Sequence, residues 1–150
     1  MTGRPGGGAR VAMLNAAQRR QVKGLFAEHL RAPVQVLFFF AAAHDPSTAA
    51  LGELLEELAA LSDGKITVAA LTGPRGRADA VRYGVDEVPA LALLDQRGDD
   101  TGVRFLGVPL GYELMVLLED LIDVSSGTTR LSPPVRAMVR AIDRELVIRV

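Results

Sequence analysis

The run Val34-Gln35-Val36-Leu37-Phe38-Phe39-Phe40 does most to limit the architecture of this chain. Only Gln35 interrupts it, so a strand with one face in water would expose Phe and Leu side chains; the run reads as a strand covered on both sides. The covers must be helices, and the flanking sequence supplies them. Upstream, Asn15 and Gln18 have the spacing of a capping box, and Val22, Leu25, Phe26 and Leu30 recur at helical intervals. This predicts a helix over residues 16–30, stopped by Pro33. Downstream, Asp45 can cap the orphan amides of a second helix while Pro46 takes the first helical position, where a missing N–H costs nothing. Leu51, Leu54, Leu55, Leu58 and Leu61 form the stripe that this helix buries; Glu53, Glu56 and Glu57 are expected to face water, and Ser62-Asp63-Gly64 ends it.

The remainder alternates in the same way. A strand is expected over residues 65–71, then a turn at Gly73-Pro74 and a weaker helix over 76–83. Residues 88–94 and 103–106 read as an antiparallel hairpin joined by a polar connection at 96–101, longer than the tightest turns. A helix over 112–124 is apolar almost all round and is expected to be the best-buried helix. Ser132-Pro133-Pro134 then opens an amphipathic helix carrying Val135, Met138, Val139 and Ile142, and a last strand is expected from Leu146 through Val147 and Ile148 to Val150. The implied fold class is α/β: a four-stranded mixed sheet sandwiched by helices, with an extra C-terminal helix and strand. Residues 1–12 are read as a disordered tail, 13–127 as the domain, and 128–150 as a helix and strand that repeat the order of residues 16–40, the start of a second unit. The pattern begins at Met13-Leu14, which makes Met13 a second candidate start of translation.

At 150 residues one core can form without a disulfide, and none is available because the sequence contains no cysteine. Thiol–disulfide exchange needs a thiolate that attacks and a sulfur that resolves, so these residues cannot perform it with their own side chains. A net charge of −1 with mixed signs argues against a nucleic-acid partner. No apolar run approaches the roughly 20 residues that span a membrane. The N-terminal stretch lacks an apolar segment of secretory type, so the expected location is cytoplasmic. No His, Cys or paired acids stand at ligand spacing, so neither a metal nor a cofactor is expected. The glycines at 73–76 and 107–111 lack the spacing of phosphate loops. Ser47, Ser125 and Ser126 have no arrangement suggesting a nucleophile and are read as solvated loop residues.

Three segments carry a family resemblance. Residues 54–63 resemble the end of the second helix, and Tyr83-Gly84-Val85-Asp86-Glu87-Val88-Pro89-Ala90 resembles the approach to a cis-proline. Residues 102–113, the most specific, resemble a hairpin exit and helix start. Together they resemble the thioredoxin-like family, and within it the first unit of two tandem proteins: the protein disulfide oxidoreductases and the F component of alkyl hydroperoxide reductase. Arg140-Ala141-Ile142-Asp143 is similar to the helix leading into their second unit, which carries the working Cys-x-x-Cys. The resemblance places the first unit's Cys-x-x-Cys position at Asp45-Pro46-Ser47-Thr48, where the oxidoreductase type has cysteines and the flavoenzyme type has none. It also implies a cis Val88–Pro89 bond facing that helix start, so that His44, Val88 and Pro89 form a candidate loop for docking an extended peptide.

No catalytic residue is assigned. The functional expectation is a redox-inactive binding or scaffold protein of disulfide or peroxide pathways, with a protein partner such as a redox enzyme. The alternative is a non-catalytic component of a split oxidoreductase or peroxide reductase whose cysteine-bearing unit lies on another chain. Leu146, Val147, Ile148 and Val150 are the candidate partner strand, because unpaired strand edges invite pairing with another subunit or with a second copy in a homodimer.

Overall fold

A computed structural model describes residues 12–146. Its elements run α1 (Ala16–His29), β1 (Val34–Phe39), α2 (Pro46–Leu61), β2 (Ile66–Leu71), α3 (Gly73–Arg82), β3 (Ala90–Leu94), β4 (Asp100–Leu106), α4 (Tyr112–Ser126) and α5 (Pro133–Arg140). The four strands form one sheet in the order β2-β1-β3-β4. β1 pairs parallel with β2 and antiparallel with β3, and β3 pairs antiparallel with β4, so the sheet is mixed. The apolar run is therefore an inner strand, as its composition requires.

Alternate residues of β1 feed two cores. Val34, Val36 and Phe38 join Leu91 and Leu93 of β3 beneath α1, α2 and α4. Leu37 and Phe39 point the other way, joining Ala90, Ala92 and Leu94 in a smaller core packed by Ala80 of α3. On that thinner side Gly76 lets α3 lie close to β2. A Cβ there would stand 2.7 Å from the Leu71 carbonyl carbon, closer than packed atoms approach.

Several local readings need correction. α3 starts at Gly73, so Gly73-Pro74 is its first turn; proline is tolerated there because the first helical amides have no partner within the helix. β4 starts at Asp100, earlier than the polar side chains of Asp100 and Thr101 suggested, because the Asp95 carboxylate accepts from the Arg97 and Asp99 amides and closes the connection within residues 95–99. α4 is not the best-buried helix. Leu117, Leu118 and Leu121 are buried, but Tyr112, Met115 and Val116 stand exposed, and α2 buries more of its length.

Two polar residues read as solvated hold the fold together. The Glu57 side chain is only 11% exposed: it accepts from the amides of Met13 (2.6 Å) and Leu14 (3.2 Å) and pairs with Arg19 at 3.0 Å, anchoring the start of the domain to α2. Ser125 is buried, its hydroxyl accepting from the Arg31 and Ala32 amides and donating to the Ala32 carbonyl, which uses all the capacity a hydroxyl has. The first of these interactions ties α1 and α2; the second ties the α1–β1 loop to α4. The candidate strand residue Leu146 is exposed and lies outside any strand, while Val147, Ile148 and Val150 lie outside the described residues, as does most of the segment read as a tail.

Candidate functional site

β1 delivers the chain to the top of the sheet, and α2 starts beyond the loop 40–45. Asp45 has extended backbone angles, and its carboxylate accepts from the Thr48 amide at 2.9 Å while its carbonyl accepts from the Ala49 amide at 2.9 Å. The anion stands on the positive end of the helix dipole and satisfies an orphan donor, an N-cap worth about 1 kcal/mol. Thr48, the fourth residue of the Asp45-Pro46-Ser47-Thr48 stretch, is buried beneath it.

Opposite this helix start lies the loop that enters β3. The Val88–Pro89 peptide is cis, and the Pro89 carbonyl accepts from the Gly107 amide at 2.8 Å. Among the described residues the Val88 backbone N–H and C=O have no hydrogen-bond partner, and Val88 is 46% exposed. Ala41, Ala42, Asp45, Ser47, Thr48, Val88 and Pro89 together line a depression of about 420 Å³. A second one, of about 460 Å³, shares Ala41 and Val88 with it and extends over Leu71, Ala80 and Val85 towards α3. The structure thus brings Asp45, Ser47, Thr48, Val88 and Pro89 to one place. His44 is exposed and does not line either depression.

Sequence reasoning missed what supports this loop. Arg104 of β4 reaches back across β3: its Nε and Nη2 donate to the Tyr83 carbonyl at 3.0 and 2.8 Å, and its Nη1 and Nη2 donate to the Asp100 carboxylate at 2.8 and 2.7 Å. The guanidinium lies 5.9 Å from the Tyr83 ring centroid. Hydrogen bonding from Arg104 foremost pushes the Asp100 carboxyl down to about 2. Tyr83 opens the segment that runs to Val88, so this clamp fixes one end of the loop that enters β3. The i, i+4 spacing of Asp100 and Arg104 was the available signal, but on a strand those residues share a face, which is visible only once β4 is known to start at Asp100.

Helix start, facing cis-proline loop and β2-β1-β3-β4 sheet coincide in one domain. The chain is thioredoxin-like. It is similar to the alkylhydroperoxide reductase protein AhpF of Enterococcus faecalis (V583), with 31% identity and a TM-score of 0.75 over 85% of this chain and 60% of that one. The NTD_N/C domain of the same organism's AhpF gives 30% identity and a TM-score of 0.77 over 87% of this chain and 62% of that one. A protein disulfide oxidoreductase from Aeropyrum pernix K1 shares the fold at 20% identity, with a TM-score of 0.71 over 89% of this chain and 58% of that one. This chain spans about three fifths of the length of each. No family model and no curated protein matches the sequence. Its structural neighbours are thus thioredoxin-fold domains of redox proteins. Among the described residues, no three His, Cys, Asp or Glu side chains gather as a metal site, and no helix is long and apolar enough to cross a membrane.

Proposed function

We propose that this chain is a redox-inert thioredoxin-fold binding module that docks an extended protein segment over Val88 and the Asp45-capped helix start. The observation that carries this reading is the pairing of free backbone groups at Val88 with an open depression reaching Ser47, in a chain without cysteine. An incoming strand can exchange hydrogen bonds with Val88 while its side chains enter the two adjoining depressions, the mode in which extended peptides commonly add to exposed backbone. The similarity to redox-pathway domains supports a partner drawn from disulfide or peroxide metabolism.

A second reading, a non-catalytic component completed by a cysteine-bearing unit on another polypeptide, draws on the similarity to AhpF. One pair of assays addresses both. The purified chain should give no insulin reduction, and thiol-dependent turnover by this polypeptide would refute redox inertness. Labelled extended peptides should bind with an affinity that Ser47→Trp abolishes; equal binding by that variant would remove the docking site. A complex that forms only with a cysteine-bearing partner and regains turnover would favour the second reading.

A further inference from the structure

Past α4 the chain leaves the body of the domain. None of the α5 residues is buried, and no residue beyond Val124 joins either apolar core. Nor does α5 enter the groove of about 630 Å³ that α1 and α4 form with Val22, Leu25, Leu114 and Leu118. Among the described residues, no hydrogen bond or ion pair ties residues 131–146 to the body. The last side chain that reaches back is Arg130, whose Nη2 stands 3.2 Å from the Glu119 carboxylate and whose Nε stands 3.8 Å from that of Asp123.

We propose that α5 is a hinged arm, swinging about residues 127–129 and latched by the ion pairs of Arg130 with Glu119 and Asp123. The hinge lies where the backbone is least constrained. Gly127 ends α4 in the left-handed region at φ 68°, which glycine adopts without steric cost, and the Thr128 and Thr129 side chains bond only within residues 128–131. Beyond Arg130 the joint is stiff. Ser132 is held extended by the proline that follows it, and Pro133 and Pro134 have fixed φ, so the start of α5 follows wherever Arg130 is placed.

The latch is weak by construction. The side chains of Arg130, Glu119 and Asp123 are 67%, 49% and 29% exposed, and pairs open to solvent favour the paired state only roughly two- to fivefold. A buried anchor would fix the arm; this one leaves an equilibrium that salt or a competing charge can shift. Asp120 lies in the same field: burial first, and then Asp123 and Glu119, hold its carboxyl above the ordinary value, while Arg130 opposes them. What the arm carries is apolar. At 100° per residue Val135, Met138 and Val139 fall on one face of α5, continued by Ile142 in the turn beyond, and Met138 is 71% exposed. The latch therefore sets the direction in which an apolar helix face is presented, and leaves the packing of the body unchanged.

Because the chain has no cysteine, Ala27→Cys on α1 and Ala137→Cys on α5, both at exposed positions, give two unique sites for spin labels on the full chain. At low ionic strength the distribution of distances between the labels should be dominated by one narrow population. Arg130→Met should broaden it, with the latched population falling roughly two- to fivefold relative to the rest. Salt at about 1 M, where the screening length is about 3 Å, should do the same to the parent and add nothing to the variant. Glu119→Gln with Asp123→Asn should copy Arg130→Met, and the reversed set Arg130→Glu, Glu119→Lys and Asp123→Lys should restore the narrow population. A distribution that stays narrow in Arg130→Met would overturn the proposal, because other contacts would then fix the arm. So would a parental distribution already as broad as that of the variant, because Arg130 would then hold nothing.

Discussion

Replacing Arg104 by Met keeps most of the side-chain stem and removes the guanidinium that clamps the docking loop. Two of the lost hydrogen bonds go to the Asp100 carboxylate, whose side chain is 38% exposed, so solvent screening limits that pair to roughly 0.2–1 kcal/mol. Of the other three, one goes to the neighbouring Val103 carbonyl and two go from the charged donor to the Tyr83 carbonyl, and hydrogen bonds of that kind contribute about 1.5–3 kcal/mol. The Arg104 side chain is 21% exposed, so water can replace part of the second contribution, and the expected loss is about 2–3 kcal/mol. Urea unfolding at pH 7 should show it as a lower midpoint with an unchanged slope. Peptide binding should weaken as well, because Tyr83 begins the segment that presents Val88. An Arg104→Met chain with the parental midpoint would refute the claim that β4 fixes this loop. The Asp100 half has its own signature in pH. Its carboxyl is depressed to about 2 from 3.8, so its contribution is complete above the unfolded value and disappears as pH falls through the folded one. The stability gap between the parent and Asp100→Asn should therefore be present at pH 7, shrink below about pH 4 and vanish near pH 2.

Other substitutions test the site and its foundations. Asp45→Ala should cost about 1 kcal/mol as a lost N-cap, while Asp45→Asn should recover most of it in the same denaturation assay. Glu57→Gln should destabilise by about 1–2 kcal/mol and speed amide exchange at Met13 and Leu14; unchanged exchange there would show that the carboxylate does not hold the start of the domain. The double change Asp45→Cys with Thr48→Cys should close a disulfide under oxidising conditions, and two persistently free thiols would mean that the motif has been placed wrongly.

Much of the fold was legible because the apolar pattern repeats the geometry. The seven-residue run at 34–40 could only be an inner strand, and Asp45-Pro46 marked the start of α2 to the residue. What escaped was set by pairing between segments distant in sequence. Glu57 lies on the helix face that a wheel assigns to water, yet the incoming chain at Met13 and Leu14 covers it. Ser125 appeared to be a loop serine, but α4 extends to Ser126 and turns it towards the α1–β1 loop. The apolarity of α4 was read as burial, although periodicity cannot tell a helix covered on all sides from one with an open apolar flank. The same holds at the candidate site. Its residues could be named from the resemblance, but that Val88 has free backbone groups, that Ser47 and Thr48 share its depression and that His44 does not follows only from the folded chain.

The central claim is that an extended segment docks at Val88 against a helix start that holds no sulfur. Backbone amide spectra of the labelled chain, recorded while an unlabelled extended peptide is added, test it most directly. Shift changes confined to residues 41–48 and to Val88, without thiol-dependent turnover in the same sample, are the predicted result. Saturable binding that leaves Val88 and Thr48 unmoved, or perturbs the α1–α4 groove in their place, would contradict it.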